Sequence, residues 1–134
     1  YAAAFYYLSQ AGIDSRQYAE SLDYINKSLE AEPQNADFLA TKGLIYFKLG
    51  RHEQAEQYYR ESLALKPGSL QALNDLGVIY FNRGKTEEAL GFFRAAVSIA
   101  PENGTAYNNL GVALISRKKY PEALAAHLEA VRLK

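Results

Sequence analysis

The chain has 134 residues, 49% of them apolar, with fifteen acidic side chains balanced by fifteen basic ones and no cysteine. That length holds one domain with a core, and the apolar share is too high for a disordered chain. Balanced charge with no stretch of one sign excludes a nucleic-acid footprint or a membrane-surface patch, and the missing thiols exclude disulfides, thiolate catalysis and cysteine-ligated metal. No apolar run approaches the roughly 20 residues that cross a bilayer, and Tyr1 onward lacks the basic-then-apolar build of a signal peptide. With no methionine at its start, the chain is expected to be excised from a longer protein, and a cytoplasmic setting is the expectation for it.

In chain order, the first segment, about 2–35, reads as two helices. The first is expected to end early, near Ala11, because Gly12 stands where later segments carry Tyr46, Tyr80 or Leu114. Asp14 and Gln17 would then cap the second helix ahead of schedule. The segment 36–69 opens after Asn35, a good N-cap, and breaks at Gly50, a residue that tolerates the left-handed conformation just past a helix C-terminus. Lys42 falls there in an otherwise apolar column (Leu8, Leu76, Leu110), so its stem must snorkel or the helix must repack around Phe38.

The segment 70–103 has the clearest pattern. Leu73, Leu76, Gly77 and Tyr80 stand at helical spacing, a break follows at Gly84, and Ala89, Leu90, Phe93, Ala96 and Val97 resume it. Ser69 precedes this segment and Asn103 the next, both as N-caps. The last segment, 104–134, repeats the pattern and stops directly after its second helix. Leu124, Leu128 and Val131 are expected to remain partly exposed there, because solenoids ordinarily need a polar capping element.

The segments are copies of one unit. Pro33, Pro67 and Pro101 are 34 apart, as are Gly43, Gly77 and Gly111, and Ala55, Ala89 and Ala123. The stretches NDLGVIY (74–80) and NNLGVAL (108–114) nearly coincide. A period of this length marks stacked helix pairs. The columns through Leu73, Leu76, Gly77, Tyr80, Ala89, Phe93, Ala96 and Pro101 resemble the tetratricopeptide repeat signature, with leucine in place of the usual tryptophan at the first position. The resemblance implies an all-α, right-handed superhelix of four helix-turn-helix repeats, eight helices, covering 1–134 as a single domain.

Glycine inside a helix costs about 1 kcal/mol relative to alanine, so its recurrence needs a packing reason. Gly77 is expected to face Ala89 across the helical hairpin, with Tyr80 and Phe93 beside the contact. His52 and His127 fall in aromatic packing columns and have no acidic or histidine neighbours at ligand spacing, so neither a metal nor a cofactor is indicated. No phosphate loop, nucleophile elbow or metalloprotease motif occurs. The chain is read as a binding module and not an enzyme.

The face left for function lies one residue along from the core stripe of each first helix. The resemblance implies that these positions line a concave groove that holds a partner peptide. In the first two units the candidates are Tyr6, Leu44, Phe47 and Lys48. In the last two they are Gln71, Asn74, Asp75, Val78, Phe81, Asn82, Asn108, Asn109, Val112 and Ile115. Several are large apolar residues that the hairpin core does not require, with packing on the next unit as the plainer alternative for Phe47 and Phe81. The asparagines are indifferent helix formers whose amides donate and accept at once, which suits a peptide backbone. The lysine, asparagine and arginine clamp by which some members of the family hold chaperone tails is absent, since Ala40, Leu44, Asp75, Thr105 and Asn109 stand at those positions. The expected partner is a protein or peptide, without nucleic acid or membrane. The alternatives are a self-assembly module forming a homo-oligomer through exposed repeat ends, or the recruiting arm of a larger enzyme.

Overall fold

The computed structural model describes residues 1–134 and contains eight α-helices and no strand. They are α1 (Ala2–Asp14), α2 (Tyr18–Ala31), α3 (Ala36–Lys48), α4 (His52–Leu65), α5 (Leu70–Asn82), α6 (Thr86–Ile99), α7 (Gly104–Ser116) and α8 (Tyr120–Arg132). The odd-numbered helices begin at residues 2, 36, 70 and 104, the same 34-residue step that the sequence carries. The all-α class and the four helix pairs are as expected. No helix is long and apolar enough to cross a membrane.

The chain divides into two compact units, Tyr1–Ala72 and Leu73–Lys134. In the first, α1 packs on α2, α2 on α3 and α3 on α4. Its core comprises Ile13, Ile25, Phe38 and Ile45, with Leu22 and Leu29 of α2 and Tyr6, Tyr18 and Leu44 packed around them. In the second unit α7 packs on both α6 and α8, and Leu76, Ile79, Leu90 and Phe93 are buried. Each such side chain contributes about 1.5–3 kcal/mol on removal from water.

Side-chain caps are seen at the starts of α3 and α7, while α1, after Tyr1, has none. The Asn35 side chain accepts from the Phe38 amide at 3.1 Å and that of Asn103 from the Ala106 amide at 2.8 Å, which satisfies amides that the first helical turn leaves free. The second helices of all four pairs start after Gln17, Arg51, Lys85 and Lys119, none of which makes a side-chain cap. The early cap expected from Asp14 and Gln17 is thus not formed, and α1 runs its full 13 residues to Asp14 rather than ending near Ala11. Gly12 lies inside the helix, and Ser21 of α2 comes so close there that a Cβ would collide with its hydroxyl. A glycine in mid-helix costs only about 1 kcal/mol, which close packing offsets.

Each hairpin turns through one residue in the left-handed region. It is Gly50 (φ 77°) and Gly84 (φ 79°) in the middle pairs, but Arg16 and Lys118 (both φ 60°) in the first and last. The glycine column inside the helices also has an exact stereochemical role, though not the expected one. A side chain at Gly77 would first meet the ring of Phe93, ahead of Ala89, with Cδ1 of that ring 2.6 Å from the added carbon. Gly43 is likewise seated on Tyr59 and Gly111 on His127. The missing side chain is therefore a seat for a planar ring from the second helix. In the first pair Ser9 replaces the glycine and Ile25 the ring. There Ser9 Oγ donates to the Ser21 carbonyl at 2.9 Å while Ser21 Oγ donates to the Ser9 carbonyl at 3.0 Å.

Lys42 snorkels. Its ammonium lies 4.5 Å from the centroid of the Tyr58 ring, which stacks on Tyr46 at 5.6 Å, so the charge leaves the core along an aromatic face.

Candidate peptide-binding surface

Three of the candidate residues meet at one hollow within the first unit. Tyr6 comes from α1, Leu44 from α3 and Gln71 from the first turn of α5, and the hollow they share has a volume of about 190 Å³. Ala40 and Leu70 add apolar lining. Tyr6 is fixed by Phe38, whose ring centroid is 5.2 Å from its own, so the core of the unit supports the floor of the hollow. The rim is polar. Gln10 Nε2 donates to Thr41 Oγ1 at 3.4 Å, and Lys66 Nζ lies 3.4 Å from Asp37 Oδ1. Both members of that ion pair are more than half exposed, and exposed pairs contribute only about 0–1 kcal/mol, so either charge can be turned towards a ligand at little cost.

Lys66 and Ser69 escaped the sequence reading of this surface. They lie in the connection between α4 and α5, outside the first-helix stripe, and only the packed structure brings that connection beside α1 and α3. Lys48 is exposed at the end of α3. Phe47 is half-buried and sits edge-on to the His52 ring at 5.2 Å, a contact within its own hairpin.

In the second unit the candidates separate by burial. Val112 and Ile115 are exposed by 42% and 46%, Asn82 is exposed, and Asp75, Val78, Phe81 and Asn109 are half-buried. Asn74 behaves differently, being only 8% exposed with its Oδ1 shielded and without a hydrogen-bond partner. Asn108, at the equivalent place in the last pair, is exposed, and its Oδ1 lies 3.1 Å from His127 Nδ1. An amide oxygen can only accept, so in this arrangement Nδ1 is the donor of the contact. The sequence offers no packing reason for Asn74 or Asn108. The structure buries the first and gives the second a role in orienting the ring that sits on Gly111.

No group of three or more His, Asp or Glu side chains is close enough to hold a metal ion. On α8 the hydrogen bond from Arg132 holds the Glu129 carboxyl below the usual carboxylate range and the guanidinium is correspondingly raised.

The tetratricopeptide repeat family model matches residues 6–69 and 41–104, and a second model of the same repeat matches 104–134. The chain belongs to the tetratricopeptide repeat family. Among solved structures, this repeat protein is similar to one described as MamA, with a TM-score of 0.83 at 19% identity over 98% of this chain and 77% of that one. A MamA fragment from Desulfovibrio magneticus RS-1 gives 0.82 at 24% identity over 99% and 75%. The pilF protein of Pseudomonas aeruginosa gives 0.90 at 23% identity over 99% of this chain and 61% of that one. At such identities the likeness establishes the fold. Comparison with curated proteins gives no match. The tetratricopeptide repeat fold is in general a scaffold for protein–protein interaction.

Proposed function

We propose that the chain holds an extended segment of a partner protein against the first helices of its repeats, as a binding module without catalysis of its own. The observation that carries this reading is the first-unit hollow, where Tyr6, Ala40, Leu44 and Leu70 provide an apolar floor and Gln10, Asp37, Lys66 and Gln71 a polar rim. An apolar pocket fits one side chain of the ligand, and flanking amides and charges match its backbone and set its direction. In the second unit Val78, Phe81, Val112 and Ile115 supply further apolar contact, with Asn109 and Asn82 as amide partners. Asn74, being buried, is a support for that face and not a contact. A net charge of zero implies association without long-range steering, at ordinary on-rates of about 10⁵–10⁷ M⁻¹s⁻¹.

The test begins with peptides selected from a random library on the immobilised chain, followed by affinities measured by calorimetry. Leu44→Glu, which puts a charge on the floor, is expected to weaken the selected peptides by tenfold or more, about 1.4 kcal/mol, with helical content unchanged. Selected peptides that bind Leu44→Glu and Val78→Glu as well as they bind the parent chain would place the site elsewhere.

A further inference from the structure

Helix α7 is capped by the side chain of Asn103, and the residue after it is Gly104, the one place in the chain where glycine follows asparagine. Packing explains the glycine. The equivalent residues of the other pairs are Ala2, Ala36 and Leu70, but a Cβ added at 104 would come within 3.3 Å of the Ala130 carbonyl oxygen of α8, tighter than ordinary contact. The start of α7 also lacks a tie that the first two pairs possess. There a serine of the second helix donates to the first carbonyl of the first helix, Ser28 Oγ to Ala2 at 2.9 Å and Ser62 Oγ to Ala36 at 2.7 Å. Ala130 stands at that place in the last pair and has no hydroxyl.

Asparagine followed by glycine has a chemistry of its own. The backbone nitrogen of the second residue can attack the side-chain amide carbon of the first, and glycine hinders this least, having no Cβ and the widest choice of backbone conformations. Gly104 is the first residue of α7, so its N–H has no acceptor within the helix. Against the attack stands the cap. Asn103 Oδ1 accepts from the Ala106 amide at 2.8 Å, and a ψ of 107° turns the Gly104 nitrogen away from the side chain, whereas closing a five-membered ring requires that nitrogen on the Cβ side.

We propose that Asn103 is a self-modification site gated by the cap of α7. When the cap opens, the Gly104 nitrogen gives up its proton to base and bonds to Asn103 Cγ. The Cγ–Nδ2 bond breaks and ammonia leaves, taking up a proton, so that a cyclic imide remains. Water then opens the imide. Cleavage of the new bond to Cγ gives aspartate at 103, and cleavage at the backbone carbonyl gives isoaspartate. Nothing is oxidised or reduced, and water is the only co-reactant.

The two products differ in what they do to the fold. Aspartate caps a helix as well as asparagine does, and its charge suits a helix N-terminus. Isoaspartate carries the main chain through Cβ and Cγ, which adds one backbone carbon and leaves the free carboxylate on Cα, out of register with the Ala106 amide. One product restores the start of α7 and the other leaves it open, so the isoaspartyl fraction records how long the cap has stood open. The proposal does not rest on the peptide-holding surface. Asn35 is its internal control, since it caps α3 in the same way, 3.1 Å from the Phe38 amide, but is followed by Ala36.

The test is incubation of the 134-residue chain at mildly alkaline pH, with peptide mapping by mass spectrometry to follow amide-to-acid conversion and chromatography to separate the isoaspartyl form. In urea above the unfolding transition, Asn103 is expected to convert about tenfold or more faster than Asn35, and Gly104→Ala to bring it down to the Asn35 rate. In the folded chain its conversion is expected to be slower than in urea by about tenfold or more, an opening free energy of at least about 1.4 kcal/mol. Asn103→Ser, which keeps a capping side chain, releases no ammonia from this site. Asn103→Asp melts with the parent chain, while the purified isoaspartyl form exchanges its amides at 104–107 faster than the parent does. Conversion of Asn103 no faster than that of Asn35 in urea would overturn the site, and equal rates in folded and unfolded chains would overturn the gating. An isoaspartyl chain with parental exchange at 104–107 would show that the modification leaves the cap intact, contrary to the proposal.

Discussion

Residue by residue, the unit is built on a ring resting on a bare backbone. Gly43 takes Tyr59, Gly77 takes Phe93 and Gly111 takes His127. Gly77→Ala should therefore destabilise the chain although alanine is the better helix former by about 1 kcal/mol. The added methyl collides with a fully packed ring, and overpacking of that kind costs about 1–3 kcal/mol. Urea unfolding measures the balance, and a midpoint equal to or above that of the parent chain would show that Phe93 yields freely. The glycine column is plain in the sequence; its partner is not. The columns suggest Ala89 with Phe93 beside it, whereas the nearest neighbour depends on which way each side chain leaves its helix. Asn74 and Asn108 show the same limit, being alike in sequence yet buried in one pair and exposed in the other.

The elements were legible because their punctuation repeats. Asn35 and Asn103 start helices where N-caps are expected, and Gly50 and Gly84 take the left-handed turn expected of them. Where the punctuation is atypical the reading failed. With no glycine at the turn and one at position 12, the first helix reads as short, yet it has the same 13 residues as α3, α5 and α7. The turn simply accepts Arg16 at φ 60°. That conformation costs a residue with a Cβ about 1–2 kcal/mol, part of which glycine returns through its larger unfolded-state entropy. Arg16→Gly and Lys118→Gly should each stabilise the chain by about 0.5–1 kcal/mol. Thermal unfolding of the single and double variants tests this, the two sites being expected to add; a loss of stability would mean that the Arg16 or Lys118 side chain makes a favourable contact outweighing its strain.

For the molecule as a whole, the 34-residue period revealed the fold, because a repeat is one local solution copied along the chain and every copy reinforces the reading. The candidate site was legible only in part. Tyr6, Leu44 and Gln71 do meet, but Lys66 and Ser69 join them from a connection that no helical stripe contains. Recognition depends on residues that differ between repeats, and periodicity is silent about those.

The placement of the two strained turns also has a consequence in time. Arg16 and Lys118 lie in the first and last helix pairs, while the relaxed Gly50 and Gly84 lie in the second and third. In a protein whose repeats gain stability chiefly from their neighbours, the first and last of these four pairs thus carry the costlier turns. Amide hydrogen exchange should be fastest in α1, α2, α7 and α8 and slowest in α4 to α6, as openings enter from both chain ends and travel inwards. Glycine at both 16 and 118 would slow exchange in the outer pairs alone, and uniform protection along all eight helices would contradict this order.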